Sequence, residues 1–156
     1  MTEFLFMKVK LKPIGVIHSP FKTKEDVIAD KDKEAIAKIE VFKEYQEGLR
    51  DIDGFSHIII VWLFHQSEGY SLKVKPLHYE GLRGVFATRH PNRPNPIGVT
   101  IVELLERNQN LLKVKGIDAF DKTPLLDIKP YTRSDRKEKA RFGWLGEKEK
   151  NKKKSK

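Results

Sequence analysis

Apolar and polar positions alternate with a period of two along several short stretches of the chain. Ala37, Ile39 and Val41 alternate with lysine and glutamate, and a similar alternation runs from Leu112 to Ile117. This pattern predicts strands with one buried face. Short apolar or β-branched runs predict four more strands, at 13–19, 84–88, 99–105 and 125–129.

The longest apolar run, His57 to Phe64, predicts a buried central strand. One short helix is predicted at 44–50, and the charged stretch 23–34 is either a surface loop or a partial helix. Many strands with little helix predict an all-β fold, a small single-domain β-barrel or a sandwich. A Rossmann sheet is disfavoured because the chain has no βαβ alternation and no G-x-G-x-x-G motif.

The chain of 156 residues is long enough for one domain with a core. We expect this domain to span residues 1–146. Residues 147–156 contain six lysines, two glutamates and no apolar residue, which predicts a disordered Lys-rich tail. The net charge of +9 favours a polyanionic partner such as RNA.

Composition also limits the class of protein. The absence of cysteine excludes disulfides and thiolate metal sites, and it fits a cytoplasmic protein. The five histidines are not spaced as metal ligands, so we predict no metal. No apolar run is long enough to span a bilayer, and the first residues lack a signal-peptide pattern, so we predict no membrane association.

The segment from Arg89 to Gly98 reads RHPNRPNPIG and holds three prolines. Each proline fixes its own φ and restricts the residue before it, so the segment is stiff and cannot be helical. A rigid backbone carrying arginines, asparagines and a histidine suits a polar, anionic or nucleotide-like ligand. The alternative is a proline-rich turn whose arginines point to solvent.

Three further groups of polar residues are candidates for chemistry. His65 and Gln66 end the most apolar strand, where a side chain either meets a ligand or caps the strand. The stretch 118–121 reads as a turn whose aspartates bind ribose hydroxyls or an amine, or only stabilise the turn. Asp127, Lys129 and Tyr131 combine a carboxylate, an ammonium and a phenol within five residues. No Ser-His-Asp or G-x-S-x-G pattern indicates nucleophilic hydrolysis.

Taken in order, four segments resemble one family. They are IGVIHSPF at 14–21, FHQ at 64–66, GVFATR at 84–89 continuing into RPNPIG at 93–98, and DIKPY at 127–131. This ordered set resembles the TrmO (TsaA-like, VirR-type) tRNA methyltransferases over about residues 13–145.

The resemblance implies a small β-barrel that binds S-adenosylmethionine without a Rossmann sheet. It also implies a homodimer that methylates the exocyclic nitrogen of threonylcarbamoyl-adenosine beside the anticodon of tRNA. The positions that match cofactor contacts of the family are His65, Gln66, Arg89, the Val99 backbone and the turn Asp118, Ala119, Phe120 and Asp121. In the family, a Pro-Arg-Gln type segment after the first strand often lines the cofactor as well. This chain has VIADKD at 27–32 there, which makes Asp30, Lys31 and Asp32 the candidates in that place.

Catalysis by such an enzyme depends on in-line positioning and on removal of a proton from a poorly nucleophilic nitrogen. Asp127 and Tyr131 are the candidate proton acceptors or positioning groups. Arg93, Asn95 and Lys129 are the candidates for binding the threonyl carboxylate or a phosphate of the substrate. The alternative function is a non-catalytic protein on the same fold that binds RNA or senses S-adenosylmethionine.

Overall fold

In the computed structural model, residues 7–146 are described. Six strands of this part form a closed antiparallel barrel in the order β1-β2-β7-β6-β3-β8. These strands are β1 (Gly15–His18), β2 (Ile36–Val41), β3 (His57–Leu63), β6 (Ile97–Asn108), β7 (Leu111–Lys115) and β8 (Thr123–Pro130). β4 (Lys73–Val74) and β5 (Arg83–Gly84) pair in a separate two-stranded sheet. The all-β barrel predicted from the sequence is therefore confirmed.

The barrel core is made by the inward residues of the alternating strands. Its fully buried side chains include Ile17, Ile39, Ile58, Ile60, Val102, Leu112, Val114, Ile117 and Leu125. β3 differs from the sequence prediction, because only alternate residues are buried although the run is continuously apolar. Ile59, Val61 and Leu63 face outwards and are half-buried, since a barrel encloses one face of each strand.

The helical elements are short. α1 (Lys24–Ala29) begins at Thr23, whose hydroxyl accepts from the Asp26 backbone while the Asp26 carboxylate accepts from the Thr23 backbone. This capping box makes the stretch 23–34 a partial helix, one of its two predicted forms. The predicted helix at 44–50 is a 3₁₀-helix, Lys43–Leu49, and three shorter ones lie at Ile52–Gly54, Val85–Ala87 and Arg133–Asp135.

The predicted strand at 84–88 is wrong. Only Arg83 and Gly84 pair as a strand, and Val85–Ala87 forms a 3₁₀-helix. The Val85 side chain is buried, and the Thr88 backbone and hydroxyl both donate to the Val85 carbonyl. This local turn replaces the ladder hydrogen bonds that a strand would need.

No helix among residues 7–146 is both long and apolar enough to cross a bilayer. The Lys-rich segment 147–156 lies outside the described residues.

Candidate functional site

A cavity of about 1110 Å³ opens at one end of the barrel. At this end β1, β3 and β7 finish and β2, β6 and β8 begin. Residues that follow β3 (64–67), residues that follow β7 (Asp118 and Phe120) and the first residue of β8 (Thr123) line it. Strand ends thus supply its floor, and the segments 75–78 and 86–92 supply its sides.

One wall of the cavity is polar. It brings together His65, Gln66, Arg89 and Asp118, four of the residues predicted to bind a cofactor. The His65 Nδ1 lies 3.3 Å from the hydroxyl of buried Thr123, which orients the ring. The Arg89 side chain is exposed and makes no hydrogen bond or ion pair with the rest of residues 7–146. This wall therefore offers both a cation and a carboxylate to a ligand.

A buried chain of hydrogen bonds positions Asp118. The Trp62 indole Nε1 donates to Thr100 Oγ1 at 3.0 Å, and that hydroxyl donates to Asp118 Oδ1 at 2.5 Å. Thr100 is 4% exposed, so its bond with Trp62 is shielded from water, whereas its bond with Asp118 is partly buried. The second carboxylate oxygen, Oδ2, lies 3.8 Å from the Lys33 ammonium.

Gly98 makes room for this arrangement. A Cβ at position 98 would lie 2.4 Å from the Trp62 ring, so the indole packs directly on the glycine. The ring edge also meets Phe64, with centroids 4.4 Å apart. The glycine of the RPNPIG segment thus has a packing role, which places the stiff loop against the cavity floor.

The loop from Thr88 to Pro96 is held by its own polar side chains. Arg93 Nη1 donates to the carbonyls of Thr88 at 2.9 Å and His90 at 3.4 Å. The Ser67 hydroxyl lies within hydrogen-bond distance of the Pro91 carbonyl and of Asn92 Oδ1. These contacts give Arg93 a structural role in the loop, whereas Arg89 is left to the cavity.

His90 is held in its neutral form. Its Nδ1 accepts from the Asn92 backbone N–H at 3.1 Å, which requires a ring nitrogen without a proton. Burial lowers the pKa of His90, and the charges of Lys24 and Arg93 lower it further. The imidazole therefore serves the loop as a hydrogen-bond acceptor.

A second part of the cavity lining, the aromatic wall, is apolar and aromatic. Phe86, Leu77, Trp144 and Leu145 form it, and Val27 and Ile28 of α1 close the side. None of these six residues was predicted as a site residue, although Val27 and Ile28 belong to the segment 27–32 and Phe86 to the motif at 84–89. For Trp144 and Leu145 the local signal was the apolar cluster FGWL at 142–145 within a charged stretch.

Trp144 fixes the C-terminal part of this wall. Its indole Nε1 donates to the Ala87 carbonyl at 2.9 Å, and its ring meets Tyr79 edge-on at 4.6 Å. The Arg83 guanidinium lies 5.5 Å from the Trp144 ring centroid. The segment after Arg133–Asp135 is thereby tied to the turn that carries Phe86.

Several predicted cofactor residues do not line the cavity. Asp30 accepts from the backbones of Glu34 and Ala35, closing the turn after α1, and Lys31 and Asp32 lie exposed in that turn. Ala119 is buried in the core cluster, and Asp121 Oδ1 accepts from the Ser19 backbone. Val99, predicted to contact the cofactor through its backbone, is not among the lining residues, and its side chain is on the outer face of β6 and 48% exposed.

The predicted catalytic pair also lies away from the cavity. Asp127 faces outwards from β8 and pairs with Lys129 at 2.8 Å, and this ion pair raises the pKa of Lys129. Tyr131 follows β8 near His57, the first residue of β3. His57 and His65 are separated by most of the barrel height, about 25 Å along an extended strand. Asn95 is exposed at the loop tip and is not among the lining residues.

Among the described residues, no three histidine, aspartate or glutamate side chains are grouped to hold a metal ion.

Comparisons with known proteins match this chain to members of one protein family. The family model described as the tRNA-methyltransferase O N-terminal domain matches residues 16–135. A probable S-adenosyl-L-methionine-binding protein of Pyrococcus abyssi is 50% identical over 86% of this chain and 74% of its own length. The tRNA (adenine(37)-N6)-methyltransferase of Escherichia coli is 38% identical over 84% of this chain, which spans 59% of that enzyme.

Solved structures show the same architecture. The crystal structure of TrmO from Pseudomonas aeruginosa matches with a TM-score of 0.70 at 34% identity, covering 88% of this chain and 62% of that one. The chain thus spans somewhat less than two thirds of this solved relative, while it spans more of the archaeal one.

Proposed function

The chain belongs to the tRNA-methyltransferase O family, and we propose that it is an S-adenosyl-L-methionine-dependent methyltransferase that modifies an adenine of tRNA at N6. The observation that carries the proposal is the cavity at the barrel end, where His65, Gln66, Arg89 and Asp118 form one wall beside an aromatic wall. Such a cavity can hold a cofactor and a flat base together.

The residues at the polar wall fit S-adenosyl-L-methionine. The cofactor has an amino-acid head group, a ribose diol and an adenine. Arg89 would hold the carboxylate of the head group, and Asp118 would accept from the ribose hydroxyls or the amino group. The Trp62–Thr100 chain keeps the Asp118 carboxylate in a fixed orientation for that purpose.

When bound, S-adenosyl-L-methionine would supply the methyl group, its sulfur keeping the electron pair of the broken bond as a neutral thioether while the proton of the acceptor nitrogen passes to solvent. The protein contributes mainly by holding the acceptor in line, because a misaligned pair of reactants loses most of the rate.

The finer substrate assignment is threonylcarbamoyl-adenosine beside the anticodon. The threonyl group adds a carboxylate to the base, and the cationic side chains at the cavity, Lys24, Lys75 and Arg89, offer charge to it or to neighbouring phosphates. An unpaired loop base is accessible to such a cavity, whereas a stacked duplex base is not.

We also propose that the protein is a homodimer. The outer face of β3 and β6 exposes Val99 at 48% and Ile101 at 50%, beside half-buried Ile59 and Val61. This is a two-stranded apolar surface without cover among the described residues, and such surfaces are characteristic of contacts between subunits.

The first test is cofactor binding by titration calorimetry. Wild type is expected to bind S-adenosyl-L-methionine, and Arg89→Ala is expected to lose about 1.5–3 kcal/mol of binding free energy, because a charged hydrogen bond is removed. Arg50→Ala, an exposed arginine outside the cavity lining, is the control. Absence of binding by wild type would refute the cofactor assignment.

The second test is turnover. Methyl transfer is measured by mass spectrometry of nucleosides, with tRNA that carries or lacks the threonylcarbamoyl group. Equal rates on both RNAs would contradict the substrate assignment. Binding of cofactor and RNA without methylation would support the alternative, a non-catalytic binding protein.

A further inference from the structure

Phe86 is exposed in an unusual position for a large aromatic side chain. It is 75% exposed, yet it lines the cavity and sits between residues that are firmly held. Val85 is 1% exposed, and its backbone donates to the Leu72 carbonyl at 2.9 Å. On the other side, the Ala87 carbonyl accepts from the Trp144 indole.

The turn therefore presents the aromatic ring to the cavity from a fixed backbone. The 3₁₀-helix Val85–Ala87 is closed by the Thr88 backbone and hydroxyl, so its backbone geometry is fixed. Nothing in the barrel core uses the Phe86 ring. A phenylalanine has only two side-chain torsions, so covering it with a ligand costs less conformational entropy than ordering a long flexible side chain, which suits it for stacking.

The surroundings of Phe86 suit an RNA base. Leu77 and Leu145, which also line the cavity, are 45% and 49% exposed, so the wall around the ring is apolar. Three exposed cations, Lys24, Lys75 and Arg89, belong to the same cavity and complement the negative charge of a phosphate backbone. Single-stranded bases are bound by this combination of an aromatic platform and a cationic border.

We propose that Phe86 is the stacking platform for the acceptor adenine, so that the aromatic wall receives the RNA base and the polar wall receives the cofactor. This inference rests on the proposed methyltransferase function. It assigns the two walls to different ligands and makes Phe86 a positioning residue for the acceptor.

The test compares Phe86→Ala, which removes the ring, with Phe86→Tyr, which retains it. Tyr70→Ala is the matched control, since Tyr70 is 63% exposed and lies outside the cavity lining. The substrate is tRNA bearing threonylcarbamoyl-adenosine beside the anticodon. KM and kcat for this RNA and the dissociation constant of S-adenosyl-L-methionine are measured for each protein, with thermal unfolding to verify folding.

Loss of the ring is expected to raise the KM for tRNA by about ten- to a hundredfold, the range that one base stack contributes. The affinity for S-adenosyl-L-methionine is expected to be unchanged. Phe86→Tyr is expected to keep the wild-type KM for tRNA, and Tyr70→Ala is expected to leave this KM unchanged as well. A second readout is an anticodon stem-loop with 2-aminopurine at the target position, whose fluorescence in the complex is expected to change with Phe86→Ala.

Two results would overturn the inference. One is a KM for tRNA that is the same in Phe86→Ala and wild type. The other is a loss of cofactor affinity in Phe86→Ala, which would assign the ring to S-adenosyl-L-methionine instead. Failure of the wild-type protein to methylate tRNA would instead refute the proposed function, so the two failures are distinguishable.

Discussion

Gly98 controls how closely the Trp62 indole approaches β6. Because a Cβ there would lie 2.4 Å from the ring, any larger residue must displace the indole. The indole also donates to Thr100, which in turn donates to Asp118. One small residue thus connects the core of the barrel with the polar wall of the cavity.

Gly98→Ala is expected to lower the free energy of unfolding by about 1–3 kcal/mol, the range found for overpacking a core. It is also expected to weaken cofactor binding, since the displaced indole no longer orients Thr100 and Asp118. Urea unfolding and calorimetry measure the two effects. Gly48→Ala is the control, because a Cβ at Gly48 meets nothing within 4 Å. Equal stability of the two variants would contradict the packing argument.

His90 makes the stability of the stiff loop depend on pH. Its pKa in the folded protein lies below the ordinary value of 6.5, chiefly through burial. As the pH falls below the ordinary pKa of 6.5, the unfolded chain takes up a proton at His90 more readily than the folded chain does. Stability contributed by neutral His90 is therefore present above about pH 6.5 and is lost as the pH falls.

We expect the difference in melting temperature between pH 7.5 and pH 5 to be smaller in His90→Asn than in wild type. Thermal unfolding, monitored by circular dichroism at both pH values, measures this difference in melting temperature. Gly48→Ala, which keeps every titratable group and adds a Cβ that meets nothing within 4 Å, is the control and should retain the wild-type difference. If the melting temperature of His90→Asn differs between the two pH values as much as that of wild type, His90 is not the source of the pH dependence.

At the scale of elements, the two faces of each barrel strand have different structural roles. Inward residues of β3 and β8 build the core, while their outward residues form the surface. Asp127 stands opposite Val61 in the register and lies on the outer surface, bonded to Lys129. A strand face, once turned outwards, cannot contribute to a cavity at the barrel end of the same chain.

Asp127→Asn is therefore expected to change kcat for tRNA methylation by less than about tenfold, a barrier change below about 1.4 kcal/mol. The matched comparison is Asp118→Asn, which alters a carboxylate of the cavity wall and is expected to weaken cofactor binding. A much larger loss of kcat in Asp127→Asn would restore the catalytic role predicted from the sequence and would require Asp127 to reach a cavity of another subunit.

At the scale of the whole molecule, the outer face of β3 and β6 is a candidate subunit contact. Its centre is the pairs Ile59 with Ile101 and Val61 with Val99. Ile101 is 50% exposed, which is costly for a surface of a lone subunit and favourable for a buried contact.

We expect Ile101→Lys to convert a dimer into a monomer, since a lysine at the centre of an apolar contact would have to lose its hydration. Light scattering gives the mass of each protein. Leu111→Lys, at the tip of the β6–β7 hairpin and 38% exposed, is the control and should leave the mass unchanged. A wild-type monomer, or an Ile101→Lys dimer, would exclude this face as the contact.

The sequence determined the strands of the barrel because strand alternation is a local property. The patterns at 37–41 and 112–117 depend only on which residues face the core, and β2 and β7 appear where those patterns lie. Many one-faced strands with little helix fit a sandwich as well as a barrel, and the pairing of β1 with β8 closes the barrel here. The strand predicted at 84–88 failed because the burial of Val85 and the hydroxyl of Thr88 favour a turn that hydrophobic pattern alone does not reveal.

The sequence also predicted residues that the structure brings together. His65, Gln66 and Asp118 line one cavity because they follow barrel strands that end there, and Arg89 reaches the same cavity from the loop after Val85–Ala87. Only the tertiary structure decided the other wall. Phe86 and Trp144 are far apart in sequence, and their approach depends on the path of the C-terminal segment, which local patterns do not encode. In the same way, the register of β8 against β3 set Asp127 on the outer face, because one residue of register exchanges the inner and outer faces of a strand.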